Sequence, residues 1–176
     1  VMGLEMIKSS TPSAIREKMW EAVGLMMTGT ESDVQLFIKN FREEFKTLPA
    51  EDISFPRGLN GLRTYSDAAT LYKKGTPIHV RGALLFNHYI RMKGLDKKYQ
   101  PIRDGDKIRF VYVRKPNPFQ EDVIAFSTEL PKEFDLQKYV NYDLQFDKAF
   151  VEPIRVILNC IGWQTEKQSS LEDFFA

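Results

Sequence analysis

The chain has 176 residues, 43% of them hydrophobic, enough for one domain with a real core or a domain with appendages. Its one cysteine, Cys160, excludes an internal disulfide and a cysteine-built zinc site, and it fits a reducing compartment. The net charge of +1 hides an asymmetry: residues 57–115 hold fourteen Lys or Arg against four Asp or Glu, a net of +10, between flanks of −3 (residues 1–56) and −6 (residues 116–176). A central basic block suits a polyanion partner; a lysine-rich solvated face is the other reading.

The first residues, "VMGLEMIKSS", lack the basic start and apolar block of a secretory signal and read as a strand cut at its edge. No apolar run approaches the ~18 residues of a spanning helix. In "SSTPSAIREKMWEAVGLMMTG", Thr11 can cap and Pro12 suits the first helical position. Ile15, Met19, Val23 and Met26 or Met27 then recur at helical spacing until Gly29. "ESDVQLFIKNFREEFKTLP" opens with Ser32 and Gln35 at capping-box spacing and carries an apolar stripe of Val34, Phe37 or Ile38, Phe41, Phe45 and Leu48. The two helices are expected to pair as a hairpin, with the Met and Phe stripes forming core.

From Pro49 to Pro77 the periodicity fails, and Pro, Gly, Asn and Ser predict a long, mobile loop with short turns. "HVRGALLFNHYIRMKGL" predicts a buried helix from near Arg81 or Gly82 to Gly94. "DGDKIRFVYVRK" predicts a turn and a strand, in which Ile108, Phe110 and Tyr112 alternate with Arg109, Val111 and Val113. "DVIAFS" is its expected partner after the "KPNPFQE" turn. Residues 131–163 read as helical with a break before Pro153, and "QTEKQSS" reads as a linker. The fold class predicted is α+β, mainly helical: a helical hairpin and further helices packed with a small antiparallel β element.

No catalytic constellation emerges. There is no Gly-rich phosphate loop, no His-x-x-Glu-His run and no Gly-x-Ser-x-Gly elbow. His79 and His88 are nine residues apart and fall on opposite sides of the expected helix start, which does not suit a metal pair. Asp104 and Asp106 bracket a glycine as hairpin-turn residues. Nothing here gathers two metal ions for nucleotidyl transfer, so no catalytic or metal-ligating residue and no cofactor is expected in this chain.

Phosphate binding explains more of the pattern. It needs cations and hydroxyls on loops or at helix N-termini. Lys8, Ser9, Ser10 and Thr11 stand just before a helix, although each can also simply cap it. The long loop adds Arg57, Asn60, Arg63, Tyr65, Lys73 and Lys74, and His79 and Arg81 follow it. Tyr65 and Tyr72 can lie against sugars or pack on their own domain. No repeated aromatic platform for single strands is present, so sequence-blind duplex binding is the expectation.

In order and spacing, "MGLEMIKSSTP", the hairpin, "PIHVRGALLFN", "DGDKIRFVYV", "NPF" and "VEPI" resemble the carboxy-terminal part of bacteriophage family B replicative DNA polymerases, over essentially the whole chain. The resemblance implies a thumb that grips primer–template duplex: residues 1–10 as the end of the palm and its junction, 11–163 as the thumb, and 164–176 as linker and tail. It places Lys8, Ser9 and Ser10 where the thumb begins and holds the backbone, Asn60 and Tyr65 in the duplex-contacting loop, and His79 and Arg81 in the next motif. Close phage relatives carry Lys before that loop tyrosine; here it is Thr64, with Arg63 one residue earlier. The family's catalytic aspartates, its nucleotide-binding helix and its two divalent ions, expected to be magnesium, belong to a palm that precedes these residues. The resemblance therefore implies either an excised fragment or one half of a split enzyme, inactive alone and working in the cytoplasm of an infected bacterium.

The tail "QSSLEDFFA" has its own likeness. Gln168, Leu171, Phe174 and Phe175 fit the Gln-x-x-aliphatic-x-x-aromatic-aromatic peptide that docks on ring-shaped sliding clamps, the other reading being a tail folded back on its own domain. One 3₁₀ turn would put Leu171 and the two rings on one side, with Gln168 at the rim. The expected partners are thus duplex DNA, a sliding clamp and the amino-terminal remainder of the polymerase, with no membrane. The rival reading is a free-standing, clamp-tethered, non-specific DNA-binding accessory protein. An enzyme acting on small molecules would need a concave acidic or metal site, which the sequence does not offer.

Overall fold

The computed structural model of the chain describes residues 8–169; the predicted amino-terminal strand fragment and Leu171, Phe174 and Phe175 of the tail lie outside them. The hairpin forms as its periodicity demands, from α1 (Ser13–Thr28) and α2 (Glu31–Phe45). Ile15, Met19 and Ala22 of α1 and Val34, Ile38, Phe41 and Phe45 of α2 are buried. Gly29 ends α1, its N–H donating to the Leu25 carbonyl at 2.7 Å. The capping box lies two residues before the predicted Ser32–Gln35 pair. The Asp33 N–H donates to Thr30 Oγ1 at 3.3 Å, and the Thr30 N–H donates to Asp33 Oδ2 at 2.8 Å. Aspartate reaches back as glutamate does, which shifts the start. Thr30→Ala is expected to cost about 1 kcal/mol in urea unfolding, the usual loss of an N-cap.

The stretch after Pro49 is more structured than a loop. It contains α3 (Ala50–Ile53), β1 (Phe55–Gly58), α4 (Leu62–Tyr65), β2 (Ser66–Asp67) and β3 (Leu71–Tyr72). β1 is the sheet strand the sequence concealed, because "FPRG" shows no alternation and includes a proline. It sits at the edge of an antiparallel sheet ordered β1-β4-β5, with β4 at Lys107–Tyr112 and β5 at Val123–Phe126. An edge tolerates Pro56, which has no N–H to give a neighbour. The predicted pairing of β4 with β5 is present, Phe110 facing Ala125 and Tyr112 facing Val123. Buried Asn117 shapes their connection: its amide donates to the carbonyls of Arg114 (2.8 Å) and Glu121 (2.6 Å) and accepts the Phe119 N–H (2.9 Å).

Helix α5 (Ile78–Met92) lies on β5 and begins earlier than predicted, directly after Pro77. Its Gly82 is a contact requirement: a Cβ there would come within 2.9 Å of the Ala125 backbone nitrogen. His79 and His88 are therefore on one helix, but nine residues at about 100° each put them on opposite faces.

Residues 131–163 are not one broken helix. Two 3₁₀ turns (Lys132–Phe134 and Gln137–Tyr139) come first, separated by Asp135 in the left-handed region at φ 53°. Then come α6 (Tyr142–Phe146), a π turn (Asp147–Val151) and α7 (Glu152–Cys160). Pro153 has no N–H for the carbonyl four residues back, and the turn before it is widened. Phe146 and Phe150 pack into the α2 stripe, with Phe41 ring centroids at 5.4 and 5.0 Å. Gln145, fully buried, accepts the Tyr112 N–H at 3.0 Å and donates to the Ile53 carbonyl at 2.8 Å, tying α6 to β4 and to the end of α3. Past α7 the chain returns to α2: the Gln164 N–H donates to Glu31 Oε1 at 2.9 Å and Thr165 is buried.

Candidate nucleic-acid interface

Helix α1 begins beside Arg57, and α1 and α5 begin alike. Each N-cap is a proline (Pro12, Pro77) with no side-chain hydrogen bond, and neither first turn contains Asp or Glu. Helix α2, by contrast, has its capping box and two acids in its first turn. A helix start carries roughly half a positive charge with outward N–H groups. In α2 the protein satisfies that charge itself. In α1 and α5 it supplies no carboxylate.

Beside the α1 start lie two adjoining crevices that share Ser10 and Arg57. One, of about 310 Å³, is lined by Ser9, Ser10, Arg57 and Lys107. The other, of about 360 Å³, adds Thr11, Phe55 and Lys148, with Glu152 as its one acid. The sheet register produces this gathering: Arg57 pairs with Ile108, and Gly58 with Lys107. His79 of α5 is not in the lining of either crevice, but it feels the same cation: its pKa is lowered from the ordinary 6.5, chiefly by burial and then by the Arg57 charge. Nothing in the local sequence marks Lys107 or Lys148 as part of this site. Lys107 is one residue of a strand, and Lys148 is over forty positions further on. Only the fold brings them to Ser9 and Ser10.

The other predicted residues divide. Lys8 and Ser9 are exposed, Ser10 is half-buried, and Thr11 is buried with its N–H on the Lys8 carbonyl at 3.2 Å. Asn60 and Arg63 are exposed where the chain leaves β1. That corner is anchored by Asp104, which accepts the Leu62 N–H at 2.9 Å, and by Gly61 at φ 91°, with the Tyr65 ring close beside it. Tyr65 packs half-buried against the core. The Lys73 ammonium donates to the Thr64 carbonyl at 2.7 Å, so it ties β3 to α4, and Lys74 is exposed. Arg81 points inward: its Nη2 lies 2.8 Å from Asp122 Oδ1, and its guanidinium covers the Tyr72 ring at 5.6 Å. Tyr72 donates in turn to Glu121 at 3.1 Å. In this conformation Arg81 fastens the β2–β3 hairpin to the strand end and does not face a ligand. Other cations of the basic block are also used internally: Arg109 on the Glu51 carbonyl (2.8 Å), Arg114 on the Lys138 carbonyl (2.8 Å) and Lys98 on Glu133.

Among the described residues no three of His, Cys, Asp and Glu gather as metal ligands, and no helix is long and apolar enough to cross a membrane. The donor set suits anions, not cations.

No family model matches the chain. Two curated proteins do. The chain is 32% identical over 179 residues to the DNA-directed DNA polymerase of Enterobacteria phage T4, covering 99% of this chain and 19% of that protein. It is 31% identical over 180 residues to the DNA-directed DNA polymerase of Escherichia phage RB69, with the same coverage of each. The chain is similar to a segment of phage DNA polymerases. It spans about one fifth of the length of the curated relatives it matches.

Proposed function

We propose that the chain is the thumb portion of a family B DNA polymerase, gripping primer–template duplex through its phosphates and tethered to a sliding clamp by its C-terminal peptide. Residues 1–10 then join a palm, residues 11–163 form the grip, and residues 164–176 lead to the ring. The observation that carries the grip is the acid-free, proline-capped start of α1 at the crevices of Ser9, Ser10, Arg57, Lys107 and Lys148, with α5, which begins in the same way, near enough for His79 to feel the Arg57 charge. Backbone N–H groups, hydroxyls and cations in one crevice suit phosphate oxygens and read no base. Lys8, Asn60, Arg63 and Lys74 extend the polar surface along the chain on either side. Nucleotidyl transfer itself, with its two divalent ions, belongs to a palm outside these residues.

Fluorescence anisotropy with labelled duplexes of unrelated sequence tests the grip. Affinity should be sequence-blind and fall linearly in log–log with salt, at about 0.9 per phosphate neutralised; salt-independent binding would end the proposal. A primer-extension assay on a polymerase body lacking its last fifth separates thumb from accessory protein. Restored synthesis on adding this chain supports the thumb.

Two further outcomes follow. Phe174→Ala should weaken capture on a clamp-coated surface by roughly 1.5–3 kcal/mol, the value of one buried ring, and leave duplex affinity unchanged. His79 gives the grip a pH dependence. Its folded pKa is depressed, so the free protein holds it neutral at pH 7. A phosphate beside it favours the charged form, and binding then takes up a proton. Duplex affinity should therefore rise as pH falls below about 6.5, while stability of the free chain falls over the same window, because the unfolded histidine binds the proton better. His79→Gln should flatten both curves; a wild-type affinity that does not change between pH 7.5 and pH 5.5 (about one unit either side of the usual value) would exclude His79 from the interface.

A further inference from the structure

On the side of α2 that faces the returning chain there is a further groove, of about 440 Å³, with a largely apolar lining. Leu36 and the nearly fully buried Ile38 form its floor, Lys39 and Arg42 stand at the far end, and Thr165, Glu166 and Lys167 form a wall. Leu36 is 57% exposed and offers the groove its accessible apolar surface. Arg42 is held by Asp147 at 2.9 Å, whereas Lys39 is exposed. The chain already adheres to this helix by the Gln164 N–H on Glu31 and by Gln35 Nε2 on the Gln164 carbonyl at 3.1 Å. Gln168 lies beside Glu31 and Ser32, at the start of α2.

We propose that this groove receives the chain's own last residues, with Leu171 and the Phe174–Phe175 rings on Leu36 and Ile38 and the carboxylates of Glu172 and Asp173 toward Lys39. Three observations select this occupant. The described chain ends against the groove's near rim. The eight residues after Gln168 span up to roughly 27 Å when extended, and the 15-residue α2 is about 22 Å long, so the segment reaches the whole groove. Its composition, three apolar side chains around two acids, complements an apolar floor with a lysine at the far end. The same three side chains are those assigned to the clamp, so the groove is a parking site that competes with the ring. The docking itself does not depend on the clamp reading; only the competition does.

The test uses the full chain in isotope-labelled form with Cys160→Ser and Ala176→Cys, a nitroxide on the new thiol, and no clamp present. Amide signals of Gln35, Leu36 and Lys39 should lose most of their intensity. They should recover in the Leu171→Ala/Phe174→Ala/Phe175→Ala variant and in the Leu36→Glu variant, whose exposed position keeps folding intact. Absence of broadening on α2, or equal broadening in the triple variant, overturns the proposal. Broadening that disappears on dilution with excess unlabelled nitroxide-free protein would assign the groove to a second copy and also overturns it. Failure here leaves clamp capture by the tail untouched, and failure of clamp capture leaves the docking untouched, so the two readings fall separately.

Discussion

Duplex affinity should fall about a hundredfold or more when Arg57 and Lys107 are both replaced by alanine. Each is an exposed cation at the crevice that also holds Ser9 and Ser10, and each can give a charge-assisted bond to a phosphate oxygen. Such bonds are worth about 1.5–3 kcal/mol, and each 1.4 kcal/mol is tenfold. The log–log salt slope should also decrease by about 2, one unit for each cation removed. The fold should survive, because the β1–β4 ladder is made by backbone groups and neither side chain is buried. Anisotropy titrations at several salt concentrations read both quantities. A double variant with the parental slope would place the duplex elsewhere on the protein.

The largest effect on stability is expected at Gln145. Leucine has a similar volume, but Gln145→Leu leaves the Tyr112 N–H and the Ile53 carbonyl buried without partners. At about 1–3 kcal/mol for each orphaned group the cost is roughly 2–6 kcal/mol. Urea unfolding followed by circular dichroism measures it, and an unchanged m-value would show that the loss is in the native state. The effect should reach the grip, because Gln145 connects α6 with β4 and with the end of α3, two residues ahead of β1, which carries Arg57. A loss below about 0.5 kcal/mol, the range of ordinary surface changes, would mean that the amide is not the tie it looks to be.

The long amphipathic elements could be read from the sequence for a simple reason: each has enough turns or residues to show its period. α1, α2, β4 and β5 all do. β1 could not be read, because four residues with a proline have no period, and the strand exists only because Lys107–Phe110 offers it a partner. The start of α5 was misplaced because Pro77 and Ile78 resemble the loop before them, whereas proline is well suited to the position ahead of a helix. The site was legible in half. Lys8, Ser9 and Ser10 stand out as a cation and hydroxyls ahead of a helix. Lys107 and Lys148 join them only through the β1–β4 register and the π turn. Arg81 has the right charge and the right neighbours in sequence, yet its orientation is fixed by Asp122 and Tyr72, some forty residues after it and nine before.

The proline-headed helices have a consequence for how this surface can be dissected. Their positive ends belong to the main chain, so alanine scanning leaves them in place and acid or base cannot discharge them. A residual hold on polyanions should therefore outlast removal of every lysine and arginine around the crevice. A negative side chain placed at Ser13 or Ile78 would lower that floor, because it would occupy the helix end from within.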